Sequence, residues 1–168
     1  MAEGTFTFAG FSKSYVMMGL RISYVAGPAE PMFHIKKLHY CGALCPSNFG
    51  QVAALAALDC PQEESDRLYR EFRQRLEMLY LGISQVSGVI CVRPQGAFYG
   101  FPNMKWFGLS SVDLAIRLIE KAGVMTLPGT EFGPYGEGYL RLSVCAKRDQ
   151  LEIGIDRLIK VAKDFSRG

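Results

Sequence analysis

The sequence predicts a mixed fold of the α/β or α+β class. Two observations predict it: short runs with strand character recur along the chain, and several segments place apolar residues at helical spacing. The length of 168 residues and the hydrophobic share of 49% are sufficient for a folded core. The net charge of +3 is small, and no run of basic residues is interleaved with aromatics. The composition therefore does not indicate a nucleic-acid-binding protein.

The first part of the chain predicts two strands followed by two helices. Residues 5–9 and 20–26 carry the alternating or continuous apolar residues of short strands, and a Gly-Pro pair ends the second run. Helices are predicted over 29–40 and 47–58. Ser47 is the predicted N-cap of the second helix, because its hydroxyl can accept a hydrogen bond from the first turn.

The clearest helix is predicted over 61–86. Pro61 suits the first helical position, and Glu63 and Glu64 suit the positive end of the helix dipole. A helix of this length spans roughly 40 Å, which suits a helix shared by two domains. One apolar stripe at spacings of three and four residues is formed by Leu68, Phe72, Leu76, Leu79 and Ile83.

Two further helices are predicted in the last third of the chain. Ser110 and Asp113 have the spacing of a capping box before a helix over 111–122, and Gly123 is a stop signal. The final helix is predicted over 148–165. Its apolar stripe consists of Leu151, Ile155, Leu158, Ala162 and Phe165.

Three strands, near 97–102, 124–127 and 139–145, are expected to form the sheet that these helices cover. The first belongs to a longer segment from Gly88 in which two strand-like runs are broken by the tetrapeptide RPQG. In the last strand two leucines should face the core and Arg141 the opposite side, because strand side chains alternate. Residues from about 65 to 168 are therefore expected to form one compact domain.

The cysteines and histidines do not form a metal-binding pattern. None of the five cysteines belongs to a CxxC pair, and Cys41 and Cys45 have no second ligand pair. His34 and His39 have no partner at metal-ligand spacing. The sequence has no secretory signal and no apolar run near 18 residues, so we expect a cytoplasmic protein with reduced thiols and no membrane partner.

The residues most suggestive of chemistry lie in the stretch GFSKSYVMMGLRISY, which begins at Gly10. Lys13 stands between two serines among apolar residues, and a desolvated amine can form an imine with a carbonyl group. Arg21 can hold a phosphate through its planar fork of donors, and the hydroxyls of Ser12 and Ser14 can assist. An imine-forming amine beside a phosphate site is what pyridoxal phosphate requires.

This stretch resembles the lysine motif of the class I/II aminotransferases, the aspartate aminotransferase-like group of the fold-type I pyridoxal-phosphate enzymes. The resemblance implies that Lys13 bonds to the cofactor and that Ser12 and Arg21 bind its phosphate. The family usually has glycine where this chain has Ser23. The matching residues are Ser12, Lys13, Met17, Gly19, Arg21, Tyr24, Gly27 and Pro28.

Two later stretches resemble the same family. PQGAFYGFP at 94–102 is similar to a strand of the family's small domain. LPGTEFGPYGEGYLRLS at 127–143 is similar to the segment that ends in the arginine binding the substrate's α-carboxylate. The resemblance gives this role to Arg141, and guanidinium and carboxylate groups commonly pair through two hydrogen bonds.

The resemblance implies the C-terminal part of the fold-type I fold. Residues 1–60 would be a remnant of the large cofactor-binding domain, and 61–168 the small domain with its long interdomain helix. The implied activity is amino-group transfer between an amino acid and a 2-oxo acid by a homodimer. In intact members the residues that hold the pyridine ring precede the lysine, so this chain alone is expected to be incomplete and inactive.

Two alternatives stay open on the sequence alone. Lyases, decarboxylases and cyclopropane-forming synthases share the fold and the lysine motif. The chain can also be a catalytically incomplete fragment, a split-gene subunit or a dimerisation module. The gene sequence directly upstream would separate a truncated enzyme from a split one.

Overall fold

The computed structural model describes residues 4–165, and the side chain of Phe165 lies outside the described residues. Contacts between Cα atoms divide the chain into two compact units, Met1–Tyr69 and Arg70–Gly168. This division falls inside the long helix, whereas the sequence analysis drew it between residues 60 and 61.

The first unit begins with an antiparallel hairpin of β1 (Thr7–Gly10) and β2 (Ser23–Ala26). Between the strands lie a four-residue helix, α1 (Phe11–Ser14), and a 3₁₀ turn over Met18–Leu20. The prediction of a strand from residue 20 is wrong for residues 20–22, because the 3₁₀ turn and the chain reversal occupy these positions.

Two helices follow the hairpin, α2 (Ala29–Ala43) and α3 (Asn48–Asp59). Ser47 is the N-cap of α3, where its Oγ accepts a hydrogen bond from the backbone N–H of Gly50 at 3.5 Å. The predicted cap is confirmed. The hairpin and α3 share a small core of Phe11, Ile22 and Ala54, with Tyr15, Met17 and Ala57 packed against it.

The long helix, α4, spans Glu63–Ile83 and is shorter at both ends than the predicted 61–86. Pro61 is not its first residue. The side chain of Gln62 instead binds the preceding turn, donating to the carbonyl oxygens of Ala57 at 3.0 Å and Cys60 at 2.6 Å. Along the predicted stripe, Leu68 is half-buried, Phe72 packs against the second unit's core, and the buried residues are Leu76, Leu79 and Ile83.

The second unit contains a three-stranded antiparallel sheet in the order β3-β5-β4. The strands are β3 (Tyr99–Gly100), β4 (Leu127–Pro128) and β5 (Leu140–Ser143). The prediction that these three segments share one sheet is confirmed, although each strand is shorter than expected. The strand-like run after Gly88 is not a strand, because a single bridge between Ile90 and Asn103 is its only ladder pairing among residues 4–165.

Helices α5 (Ser111–Ala122) and α6 (Arg148–Phe165) complete the second unit. The predicted ends of α5 are confirmed: Ser110 Oγ accepts from the N–H of Asp113 at 3.1 Å, and Gly123 ends the helix with a left-handed φ of 63°. The predicted alternation in β5 is confirmed as well. The core of the second unit includes the fully buried side chains of Ile83, Met104, Leu114, Leu118, Leu140 and Val144.

All five cysteines are free thiols, and four of them are exposed. Burial raises the pKa of the remaining thiol, Cys91, and a backbone hydrogen bond at Phe101 opposes part of this increase. Among residues 4–165, no group of three or more His, Cys, Asp or Glu residues could hold a metal ion. In the same residues, no helix is long and apolar enough to cross a membrane.

Candidate functional site

The loop that joins β1 to β2 contains three of the four predicted site residues. The strands pair in register down to Gly10 and Ser23, and the backbone N–H of Phe11 then donates to the carbonyl of Ile22 at 3.2 Å. This hydrogen bond closes a loop over 11–22. Ser12, Lys13 and Arg21 therefore lie between its two anchor residues, on a segment whose ends are held together.

The loop is held in place by the apolar packing of its two end residues and by hydrogen bonds within its own backbone. Phe11 and Ile22 are buried, and the Phe11 ring lies 5.4 Å from the ring of Tyr15 and 6.3 Å from that of Tyr24. The carbonyl of Phe11 accepts from the N–H groups of Tyr15 and Met17, at 3.2 and 3.3 Å. These bonds compact the loop into a turn of helix followed by a 3₁₀ turn.

The three polar side chains differ in exposure. Ser12 is half-buried, whereas Lys13 and Arg21 are exposed. The expectation that apolar neighbours desolvate Lys13 is therefore wrong for residues 4–165. The neighbouring apolar side chains with the lowest exposure, Phe11 and Ile22, point into the core below the loop instead.

Arg21 has a left-handed backbone, with φ 53° and ψ 45°. A non-glycine residue in this region costs roughly 1–2 kcal/mol, and such residues occur more often than average at functional sites. Its guanidinium Nη1 donates to the carbonyl of Met18 at 3.2 Å. The side chain is thus folded against its own loop, and no other hydrogen bond or ion pair engages its guanidinium within residues 4–165.

A hydrogen bond that the sequence did not reveal attaches this loop to the turn before α4. The hydroxyl of Tyr15 donates to Oε1 of Gln62 at 3.1 Å, while Nε2 of Gln62 binds two carbonyls of the turn. No local pattern could have indicated it, because the two residues are 47 positions apart.

Arg141, the fourth predicted residue, lies in the second unit, at the centre of the sheet in β5. It is half-buried, and its guanidinium carbon lies 4.3 Å from the ring centroid of Tyr99 and 4.5 Å from that of Phe132. No carboxylate among residues 4–165 forms an ion pair with it. The sequence analysis missed both rings.

Strand geometry gives a reason for one of these two contacts. Tyr99 pairs with Ser143, which lies two residues beyond Arg141 on the same face of β5. Diagonal neighbours on one face of a sheet are within reach of long side chains. The alternation of the predicted strands, combined with their pairing, could therefore have indicated Tyr99. Phe132 comes from a 3₁₀ turn and carries no such signal.

His34 and His39, the two histidines of the chain, are exposed on α2. The rings of Phe33 and His34 are nearly perpendicular, at an interplanar angle of 80° with 5.6 Å between their centroids. Neither histidine belongs to the loop over 11–22, so the candidate site residues of the first unit are serine, lysine and arginine.

Comparison with known proteins gives relatives along nearly the whole chain. The family model for aminotransferase class I and II matches residues 1–158. A protein named probable N-acetyl-LL-diaminopimelate aminotransferase, from Bacillus subtilis, is 38% identical over 158 residues and is matched over 94% of this chain and 40% of its own length. Aromatic-amino-acid aminotransferase 2 of Thermococcus litoralis is 36% identical over 166 residues, 98% of this chain and 42% of its own.

Solved structures agree with these relatives. The crystal structure of an aromatic aminotransferase from Pyrococcus horikoshii superposes with a TM-score of 0.91 at 33% identity, covering 98% of this chain and 44% of that one. The chain thus spans about two fifths of the length of the curated relatives that it matches. With the family match over 1–158 and the fold of the fold-type I aminotransferases, the chain belongs to the aminotransferase class I and II family.

Proposed function

We propose that this chain is the C-terminal part of a pyridoxal-phosphate-dependent aminotransferase that moves an amino group between an amino acid and a 2-oxo acid. The observation that carries the proposal is the closed loop over 11–22, in which Ser12, Lys13 and Arg21 lie together. The relatives support the same reaction class, because their names describe aminotransferases of several amino acids.

The donor set of the loop fits the cofactor. An amine suits an aldehyde, and a hydroxyl with a guanidinium suits a phosphate, because the planar fork of arginine matches phosphate oxygens. Lys13 would hold the aldehyde carbon through Nζ, while Ser12 Oγ and the Arg21 guanidinium would hold the phosphate. When bound, pyridoxal phosphate supplies an electron sink for the bond that breaks at the substrate's Cα.

The side chains of this chain then divide the work of the reaction. Once the substrate's amino group has taken the place of Lys13 at the aldehyde carbon, the free Nζ of Lys13 would remove the proton from the substrate's Cα as a general base and then deliver it as a general acid. Arg141 pairs with the substrate's α-carboxylate and orients the Cα–H bond. The groups that hold the pyridine ring are expected in the rest of the enzyme, as the family resemblance implies.

We further propose that the enzyme is a cytoplasmic homodimer, and the exposed apolar side chains of the first unit support an association of chains. Helix α2 has no buried residue, and Phe49, Val52 and Leu55 of α3 are 86%, 70% and 61% exposed. Apolar surface on this scale marks an interaction site or causes aggregation.

We therefore expect the 168-residue chain by itself to associate with other chains and to bind pyridoxal phosphate weakly. Association is expected because apolar side chains of α2 and α3 are exposed to solvent. Weak binding is expected because, of the groups that would hold the cofactor, this chain supplies Ser12, Lys13 and Arg21 and not those that hold the pyridine ring. Light scattering and an absorbance titration with the cofactor measure the two properties. A stable monomer with stoichiometric cofactor and turnover would contradict both expectations.

The proposed function is tested by borohydride reduction of the cofactor-loaded enzyme, followed by peptide mapping. The pyridoxyl label is expected on Lys13. Lys36 and Lys37, exposed on α2, serve as internal controls and should stay unlabelled. A label on any other lysine contradicts the assignment of Lys13. If the enzyme released ammonia from the amino acid without a 2-oxo acid acceptor, the assigned reaction would be that of a lyase and not of a transferase.

A further inference from the structure

The guanidinium of Arg141 lies against two aromatic rings, which come from elements on the two sides of β5. Tyr99 belongs to β3, which pairs with one edge of β5. Phe132 ends the 3₁₀ turn that follows β4, which pairs with the other edge. The guanidinium carbon is 4.3 Å from the first ring centroid and 4.5 Å from the second. Both rings are close enough for a cation–π interaction.

The donors of Arg141 have no protein acceptor within the part of the chain that the structure describes. The ring faces attract the positive charge of the guanidinium, but they are not oxygen acceptors for its N–H groups. Among residues 4–165, no hydrogen bond or ion pair joins the Arg141 side chain to another residue. Donors in a half-buried site favour a ligand whose acceptors lie in the same plane, such as a carboxylate.

The Phe132 ring is itself supported by a second layer of aromatic residues. Phe101 meets it edge-on, with centroids 6.0 Å apart at an interplanar angle of 84°. Phe101 also stacks on Tyr139 at 5.3 Å, and Tyr139 accepts a hydrogen bond from Nδ2 of Asn103 at 3.2 Å. On the other side, the Tyr99 ring lies 4.3 Å from that of Phe98. Packed neighbours of this kind restrict the rotation of both rings.

We propose that Tyr99 and Phe132 are positioning residues that hold the plane of the Arg141 guanidinium for a planar carboxylate and against a tetrahedral anion. The inference rests on the proposed function, since it takes the substrate's carboxylate as the ligand of Arg141. An arginine packed against two rings has fewer accessible orientations, and the planar fork of its N–H groups matches the two coplanar oxygens of a carboxylate. A mobile arginine would adapt to a phosphonate more easily.

The test compares the inhibition constants of propionate and ethylphosphonate, two anions with the same alkyl group, against the amino acid substrate of the holoenzyme. In Phe132→Leu and Tyr99→Leu, the constant for propionate is expected to rise roughly five- to tenfold, because one cation–π contact is lost. The preference for propionate over ethylphosphonate should fall, and KM for the amino acid should rise by a larger factor than kcat falls.

Two control variants separate positioning from general damage. Phe132→Tyr keeps a ring over Arg141 and is expected to restore the preference for propionate. Phe101→Leu removes a ring that supports Phe132 without a cation–π contact to Arg141, and should lower the preference less than Phe132→Leu does. An equal loss of affinity for both anions in Phe132→Leu and Tyr99→Leu, with no change in preference, would overturn the proposal.

The positioning of Arg141 by Tyr99 and Phe132, which we call the clamp, can fail separately from the proposed function. Without transaminase activity the proposed function fails, and the same anions are then titrated directly by calorimetry on the protein and its variants. Loss of the propionate preference in Phe132→Leu under those conditions still supports the clamp. If propionate did not bind, or if Arg141→Leu bound it as tightly as the parent protein, the proposal about Tyr99 and Phe132 would be overturned.

Discussion

Replacing Lys13 with alanine is expected to lower the rate of amino-group transfer by the holoenzyme about 10²–10⁴-fold, the usual contribution of a general acid–base group. The reason is that no other amine lies in the loop over 11–22, which contains a single lysine. The rate of 2-oxo acid formation measures the effect, and the absorbance of the bound cofactor reports whether the cofactor is still held.

Lys36→Ala is the matched control for this variant. Lys36 is an exposed lysine of the same unit, on α2, and it lies outside the loop. Its removal should change the rate of amino-group transfer by less than about twofold, because surface substitutions usually have small effects. If Lys13→Ala retained the rate of the parent protein, the assignment of Lys13 as the proton-transfer group would be wrong.

Replacing Leu140 with alanine is expected to lower the free energy of unfolding by about 2–5 kcal/mol. Leu140 is completely buried in the central strand of the sheet, so its truncation leaves a cavity. Urea unfolding followed by fluorescence measures the loss, and the signal reports on the second unit because Trp106 is the single tryptophan of the chain.

Leu127→Ala is the matched control for this substitution. Leu127 lies in β4, an edge strand that pairs with β5, and it is 40% exposed. Its truncation should cost clearly less than that of Leu140, since less apolar area is lost from the interior. An equal loss from the two variants would show that burial in β5 does not dominate the stability of the unit.

Helix ends were predictable from the sequence because they depend on neighbouring residues. Ser47 accepts from an N–H three residues later, as Ser110 does from that of Asp113. Gly123 adopts the left-handed backbone that ends a helix at low cost. The start of α4 was misplaced for a related reason: the side chain of Gln62 binds the turn at Ala57 and Cys60, which a proline at position 61 does not reveal.

Strand limits were less predictable, because a strand exists only where another strand pairs with it. The apolar run after Gly88 has strand character, yet it forms one bridge with Asn103 and no ladder. Residues 20–22 also have strand character, but the loop that closes at Phe11 and Ile22 turns the chain there. Hydrophobic pattern reports burial and periodicity, whereas pairing is a contact between distant residues.

The sequence by itself determined which residues carry the candidate chemistry. Ser12, Lys13 and Arg21 are close in the chain, and their spacing together with that of Arg141 carries the family resemblance that the comparisons confirm. A motif of this kind is readable because residue type and spacing are properties of the chain alone.

Only the tertiary structure decided how these residues are held. The closure of the loop by Phe11 and Ile22, the exposure of Lys13 and the attachment of Tyr15 to Gln62 depend on residues that meet through folding. The same is true of the two rings on Arg141, which come from separate elements. Contacts between residues far apart in sequence arise from the packing of whole elements, which local patterns do not encode.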